Sequence, residues 1–253
     1  MTDKYATVVT AFYKIPSKRR PEQYLEYARN LLNNCPAHIV LFTSKEFSPA
    51  FRDMRGNLPL TVFEEELKLP ISSLTSKFIW KVAARKNNIR QPGCNNSISP
   101  ELLQLWLSKA WFVEQAISRL NLSQTHVIMW CDIGCVRCND DIISVRNWPL
   151  LSKLYISDNR LRFFQRRPIP TNYTCNIDSD PVIAGSNIFG NIEAWKPAVQ
   201  DIRDAIIDNV RLYKDGLNDE TIYLKLVMTI PEKYMIIGNP VSWGWFQTFA
   251  LHS

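Results

Sequence analysis

The sequence predicts an α/β fold, a Rossmann-type sandwich with a mostly parallel central sheet and helices on both faces. Three early segments carry that expectation. Residues 6–13, ATVVTAFY, are short, β-branched and aromatic, and a polar loop with Pro16 follows them, which is the chemistry of a strand. Residues 21–33, PEQYLEYARNLLN, open on Pro21 and set Leu25, Ala28 and Leu32 on one face, which is the pattern of a helix. His38 to Thr43, HIVLFT, is a run of apolar character typical of a strand covered on both sides. Strand, helix and strand within about forty residues make a βαβ unit with a right-handed crossover.

Further elements continue the pattern. A shorter strand is expected over Thr61 to Phe63, then a helix over 71–88 bearing Lys77, Lys81, Arg85 and Lys86. After a loop over 89–99, Ser99 and Pro100 supply the N-cap and first-turn proline of an amphipathic helix over 100–120. Glu101 lies in its first turn, where the helix dipole favours negative charge. Residues 126–133, HVIMWCDI, form the clearest strand. A helix near 140–147, a weak strand near 153–157 and the basic–aromatic stretch RLRFFQRRPIP come next. A strand over 181–190 broken by glycines, helices over 191–213 and 218–229, and a tail rich in tryptophan and phenylalanine complete the chain. Alternating elements followed by mixed ones imply an α/β sheet with a more irregular second half. The 253 residues suit a single domain, with halves over 1–135 and 136–253.

Composition narrows the class. Apolar residues make up 46% and charged residues 21%, which suits a chain with a substantial core. The formal charge of +6 attracts anions such as nucleotide phosphates, nucleic acid or an acidic lipid surface, and selects none of them. No apolar segment follows a basic N-terminus and no stretch is long enough to span a membrane, so the expected location is the cytoplasm. The six cysteines are then expected in the reduced state, and the sequons at Asn95, Asn121 and Asn172 carry no weight. Neither a G-x-G-x-x-G, a Walker A loop, an H-E-x-x-H nor a G-x-S-x-G is present, which removes the sequence support for dehydrogenase, P-loop, zinc-protease and lipase readings.

The strongest strand ends in an acid. Ile128, Trp130 and Asp132 share one face, and Val127, Met129, Cys131 and Ile133 the other. A carboxylate there is costly if buried alone, but makes sense at the carboxyl edge of a parallel sheet, where open α/β folds bind ligands. A divalent cation on Asp132 can bridge the phosphates of a nucleotide sugar, and Gly134 lets them approach the backbone. The competing reading is that Asp-x-Gly merely makes a turn.

Six segments in order, TVVTAFYKI, HIVLFTS, LWLSKAWFVEQA, VIMWCDIGCVR, IAGSNIFGNIEAW and NDETIYLKL, resemble the HtrL/YibB group of bacterial and viral glycosyltransferases. The resemblance spans most of the chain. It implies a GT-A fold in which an acidic motif after a central strand holds Mn²⁺ or Mg²⁺ against the diphosphate of a nucleotide-sugar donor, with UDP-sugars favoured, for transfer to a glycan acceptor. It implies a cytoplasm that is bacterial or that of a virus-infected host. In many such enzymes the motif is Asp-x-Asp; here Gly134 stands in place of the second acid.

Other residues fit that frame, each beside a plainer reading. Thr10, Ala11, Phe12 and Tyr13 lie where a GT-A donor's base and ribose would sit, although aromatics more commonly pack in the core. Lys109 reaches donor phosphates or snorkels to its helix edge. Gly185, Ser186 and Asn187 interrupt an apolar strand and can admit an acceptor sugar. Asp219, or Glu220 as second choice, is the candidate base for the acceptor hydroxyl, unless the pair only satisfies a helix N-terminus. His252 is a candidate further metal ligand or a simple tail residue. A zinc site built on Cys131, Cys135 and Cys138 lacks the second pair such sites use. Two rival functions stay open. One is a nucleic-acid-binding module using Arg160, Arg162, Arg166 and Arg167 with Phe163 and Phe164, unsupported by any standard binding motif; the other is a metal-dependent phosphoesterase around Asp132.

Overall fold

Strand β1 (Thr7–Phe12) is buried at every residue, so both of its faces need cover. In the computed structural model, which describes residues 4–90, 98–124, 126–154, 156–166, 168–169, 182–211 and 217–238, helices supply that cover on each side. After β1 the chain forms α1 (Pro21–Asn34), β2 (Ile39–Thr43), α2 (Ser48–Arg55), β3 (Leu60–Glu64), α3 (Lys77–Arg90), α4 (Pro100–Leu107) and α5 (Lys109–Leu120). It continues through β4 (Val127–Cys131), α6 (Asn139–Val145), β5 (Leu161–Gln165), β6 (Ile183–Asn191), α7 (Ile192–Trp195), α8 (Ala198–Arg211), α9 (Asp219–Thr229) and β7 (Tyr234–Ile237).

These strands make one seven-stranded sheet in the order β3-β2-β1-β4-β6-β5-β7. β1, β2, β3 and β4 pair in parallel, as do β5 and β7; β6 alone runs antiparallel to its neighbours β4 and β5. This is the α/β, Rossmann-type sandwich with a mostly parallel sheet expected from the sequence. Val9, Ala11 and Tyr13 point into one core, with Trp80, Phe112, Ile206 and Tyr223 from α3, α5, α8 and α9. Val8 and Phe12 point into the other, with Leu31, Phe51 and Val145 from α1, α2 and α6.

The structure corrects several element boundaries. The helix expected over 71–88 is a 3₁₀ turn at Pro70–Ser73 followed by α3. The break falls at Ser76, whose hydroxyl accepts the Ile79 N–H at 3.3 Å. The helix expected over 100–120 is two, α4 and α5, parted at Ser108, whose hydroxyl donates back to the Gln104 carbonyl at 2.8 Å. Such back-bonding bends helices. The described residues of 153–157 form no strand; the strand of that region is β5, in the basic–aromatic stretch. The helix expected over 191–213 is divided into α7 and α8 around Pro197, which cannot donate in a helix interior. β7, the edge strand, was not anticipated.

β6 is also continuous rather than broken. Its pairing with β4 runs without interruption from Asn191 to Asn187, whereas its pairing with β5 jumps from Phe163↔Ile188 to Phe164↔Ala184. Gly185, Ser186 and Asn187 are therefore released from β5 and turned toward the end of β4.

One buried cation holds the α1–α2 side together. Arg55 is buried and has no carboxylate partner among the described residues; its guanidinium donates to the carbonyls of Leu32 (2.6 Å), Cys35 (2.7 Å), Ala37 and Pro59. Burial lowers its pKa to about 10. Arg55→Leu leaves several buried carbonyls without donors and is expected to cost roughly 2–5 kcal/mol. The urea-denaturation midpoint measures this; an unchanged midpoint would show that water replaces the guanidinium without loss.

Candidate functional site

The parallel strands end together, and Asp132 stands just past the end of β4. Its backbone N–H donates to the Ser186 carbonyl at 2.9 Å, and its carbonyl accepts the Cys135 N–H at 3.0 Å. The acid is thus both at the sheet edge and in a turn, so the two readings of Asp-x-Gly are compatible. The Trp130 indole N–H donates to Oδ1 at 2.8 Å and fixes the carboxylate's orientation. Asp132 keeps 30% of its side chain exposed.

Behind it lies a buried cation. Ser108 ends α4 so that Lys109 begins α5 pointing across the sheet, 2% exposed. Its Nζ donates to Asp219 Oδ2 at 2.6 Å and to the Gly185 carbonyl at 2.7 Å, and it lies 3.1 Å from Asp132 Oδ1. An ammonium has three donors, and all three are taken by protein. Burial works against the Lys109 charge, but Asp132 and Asp219 outweigh it and raise the pKa. Burial likewise pushes the Asp132 pKa up, with Lys109 opposing.

Asp219 and Glu220 open α9 yet do not cap it. Asn218 is the cap, its side chain accepting the Thr221 N–H at 2.7 Å. That frees both acids for other partners. Asp219, only 8% exposed, is spent on Lys109. Glu220 is more open and pairs with Arg166, 3.3 Å from Oε1. Burial first, then the adjacent Asp219 charge, raise the Glu220 pKa to about 7, against the pull of Arg166 and Lys109. Gly185 makes the assembly possible: a side chain there would collide with the Asp219 carboxylate and press on Glu220.

On the other flank of Asp132, Gly134 has a comparable packing reason. A Cβ on it would lie 3.0 Å from the Tyr24 ring of α1. Arg137 Nε donates to the Gly134 carbonyl at 2.8 Å, and Asp141 Oδ2 accepts the N–H groups of Arg137 and Cys138, pinning the loop. The guanidinium of Arg137 lies 5.8 Å from the Tyr27 ring centroid and that of Arg19 5.6 Å from it. Burial and the like charge of Arg19 lower the Arg137 pKa. Two cations on one ring, beside an open carboxylate, make a place where an added anion relieves repulsion.

The other expected residues fall as follows. Thr10, Ala11 and Phe12 end β1 and Tyr13 follows it, but all are buried; Phe12 packs edge-on to Phe47 and Phe51, and Tyr13 stacks on Phe112. Neither ring faces outward to stack on a base. Ser186 and Asn187 are buried beside Cys131 and Asp132. His252 and Arg167 lie outside the described residues. Of the arginine stretch, Arg162 is buried and paired with Asp158, the half-buried Arg160 pairs with the same carboxylate, Arg166 pairs with Glu220, and Phe163 and Phe164 are core residues. Among the described residues of that stretch, no arginine and aromatic ring together form an exposed surface. The Cys131 and Cys135 sulfurs touch at 3.0 Å, and among the described residues no three histidine, cysteine or acidic side chains gather as a metal-binding group. Sequence reasoning missed Arg19, Tyr24, Arg137 and Glu220's partner Arg166. Arg137, close after Asp132 in the segment VIMWCDIGCVR, and Arg166, in the basic–aromatic stretch, carried a signal; Arg19 and Tyr24 carried none.

No protein-family model matches the chain, and no curated protein does. Among solved structures it is similar to the glycosyltransferase GlyE of Streptococcus pneumoniae TIGR4, at 13% identity and a TM-score of 0.43, over 93% of this chain and 45% of that one. GlyE's apo form gives 14% identity and 0.43, over 92% and 45%. The PaToxG glycosyltransferase gives 9% identity and 0.41, over 90% and 70%. The chain thus spans less than half the length of the GlyE chains. The likeness is one of general layout and assigns no activity.

Proposed function

We propose that the chain is a glycosyltransferase that takes a sugar from a nucleotide-diphosphate donor to an acceptor hydroxyl. The observation that carries this reading is the arrangement around Asp132. An open carboxylate at the carboxyl edge of a parallel sheet has paired guanidinia on one flank and a carboxylate with a pKa of about 7 on the other. The first flank suits a diphosphate and the second suits a hydroxyl to be deprotonated.

A divalent cation fits the donor side. Mg²⁺ usually keeps several waters and needs only one or two protein carboxylates besides substrate phosphates. Asp132, part-exposed and oriented by Trp130, is that carboxylate; His252 is the candidate outside the described residues. When bound, Mn²⁺ or Mg²⁺ supplies Lewis-acid stabilisation to the departing diphosphate. Arg137 and Arg19 add positive charge on the same side. Tyr24, beside Gly134, takes the place next to the donor that Phe12 and Tyr13 cannot, their rings being in the core. Lys109 does not meet the donor in this scheme. It fixes Asp132 and Asp219, which leaves Glu220 rather than Asp219 as the group that takes the acceptor proton.

Asp132→Asn tests the reading. It keeps the shape and the Trp130 contact while removing the charge. Calorimetry with UDP- and GDP-sugars is expected to lose Mn²⁺-dependent binding while the thermal melt stays close to that of the parent. Undiminished metal-dependent binding by the variant would remove Asp132 from the site. Binding of a simple phosphodiester with hydrolysis, and none of a nucleotide sugar, would favour the phosphoesterase.

A further inference from the structure

Helix α3 has two unlike faces. Trp80, Ala83 and Ala84 enter the core, and Asn218 Nδ2, on the cap of α9, lies 3.5 Å from Asn87 Oδ1. The inner face therefore abuts the element that carries Asp219 and Glu220. On the outer face, Phe78, Lys81, Arg85 and Ile89 follow one another at three- and four-residue steps and share a stripe. Phe78 is 72% and Ile89 67% exposed, the two most exposed large hydrophobics among the described residues. The helix carries Lys77, Lys81, Arg85, Lys86 and Arg90 and no acid.

Single exposed apolar side chains are ordinary on a surface. Two of them bracketing two cations on one stripe, on a helix without acids, have the composition of a segment that lies in a membrane interface. We infer that the outer stripe of α3 docks on an anionic lipid bilayer. Phe78 and Ile89 enter the boundary between headgroups and acyl chains, and Lys81 and Arg85 meet lipid phosphates. Charge complementarity selects an anionic surface, and the aliphatic Ile89 favours lipid over nucleic acid, because bases stack on rings and strands track grooves. Among the described residues no helix is long and apolar enough to cross a membrane, so the contact is peripheral. It would hold the α9 side of the molecule one helix away from the bilayer.

The test is sedimentation of the whole chain with vesicles of phosphatidylcholine alone or mixed with phosphatidylglycerol. Binding is expected to the mixture, to weaken with added salt, and to be slight with phosphatidylcholine alone. A cation at such a surface is worth roughly five-fold in affinity, so Lys81→Glu with Arg85→Glu is expected to lose more than about twenty-fold. Phe78→Ser with Ile89→Ser weakens binding and leaves its salt dependence. Lys153→Glu, exposed beside the opposite core, leaves binding unchanged. These positions are exposed, so unchanged melts confirm folded variants. No preference for the anionic vesicles, or equal binding by the Lys81–Arg85 double variant, overturns the inference. Binding of a single-stranded oligonucleotide through these cations, without vesicle binding, does so as well. No readout depends on sugar transfer.

Discussion

Lys109→Met is expected to destabilise the protein by roughly 3–5 kcal/mol, the cost of removing one partner from a buried ion pair and leaving the others without compensation. The reason lies in the three bonds of its ammonium. Without it, the Asp219 carboxylate and the Gly185 carbonyl lose their donor in a place water hardly reaches, and Asp132 and Asp219 repel one another across the gap. Methionine keeps most of the volume, so the loss reports charge rather than cavity. Adding Asp219→Asn to Lys109→Met is expected to recover part of the stability, since it removes one orphaned charge. Denaturant midpoints of the two single variants and the double variant measure the coupling. Additive losses would show that the contact between Lys109 and Asp219 contributes nothing of its own.

Glu220→Gln is expected to leave donor affinity nearly intact and to lower transfer by roughly 10²–10⁴, the usual worth of a positioned base. Asp219→Asn is expected instead to act mainly on stability, because its carboxylate is occupied by Lys109. A base must be ionised to accept a proton, so parent turnover is expected to rise with pH and level off above about 7. The same group marks stability. Its folded pKa is raised above the ordinary 4.5, so the folded state holds the proton more tightly than the unfolded state. Its contribution is full below the ordinary value and is lost as pH rises through about 7, in the direction proton linkage requires. Glu220→Gln is expected to flatten stability against pH across that window. Transfer at the parent rate by Glu220→Gln would place the base elsewhere; an unaltered pH slope of stability would show that Glu220 titrates normally.

The sequence by itself determined the parallel half of the sheet and its acidic terminus. Short apolar strands, a proline-started helix and alternation along HVIMWCDI are local patterns, and burial on both faces forces them into a covered sheet. β1, α1, β2, β4 and the position of Asp132 follow from such patterns. Asp219 and Glu220 were legible as acids at a helix start, because a helix's first turn has a local signature. Their contacts were not. These depend on Asn218 taking the cap, on Ser108 bending one predicted helix into two, and on Lys109 then crossing the sheet to Asp219. The glycines likewise read as ligand-approach positions, whereas tertiary packing fills their space with Tyr24 at Gly134 and Asp219 at Gly185. Phe12 was correctly placed on the strand and Tyr13 follows it directly, but which way a ring faces is decided by the helices that close over it. Residues far apart in the chain, such as Arg19 and Arg137, meet only when α1 packs beside the loop after β4. Sequence spacing carries periodicity within an element; which side chains become partners depends on long-range packing, and there only the folded chain decides.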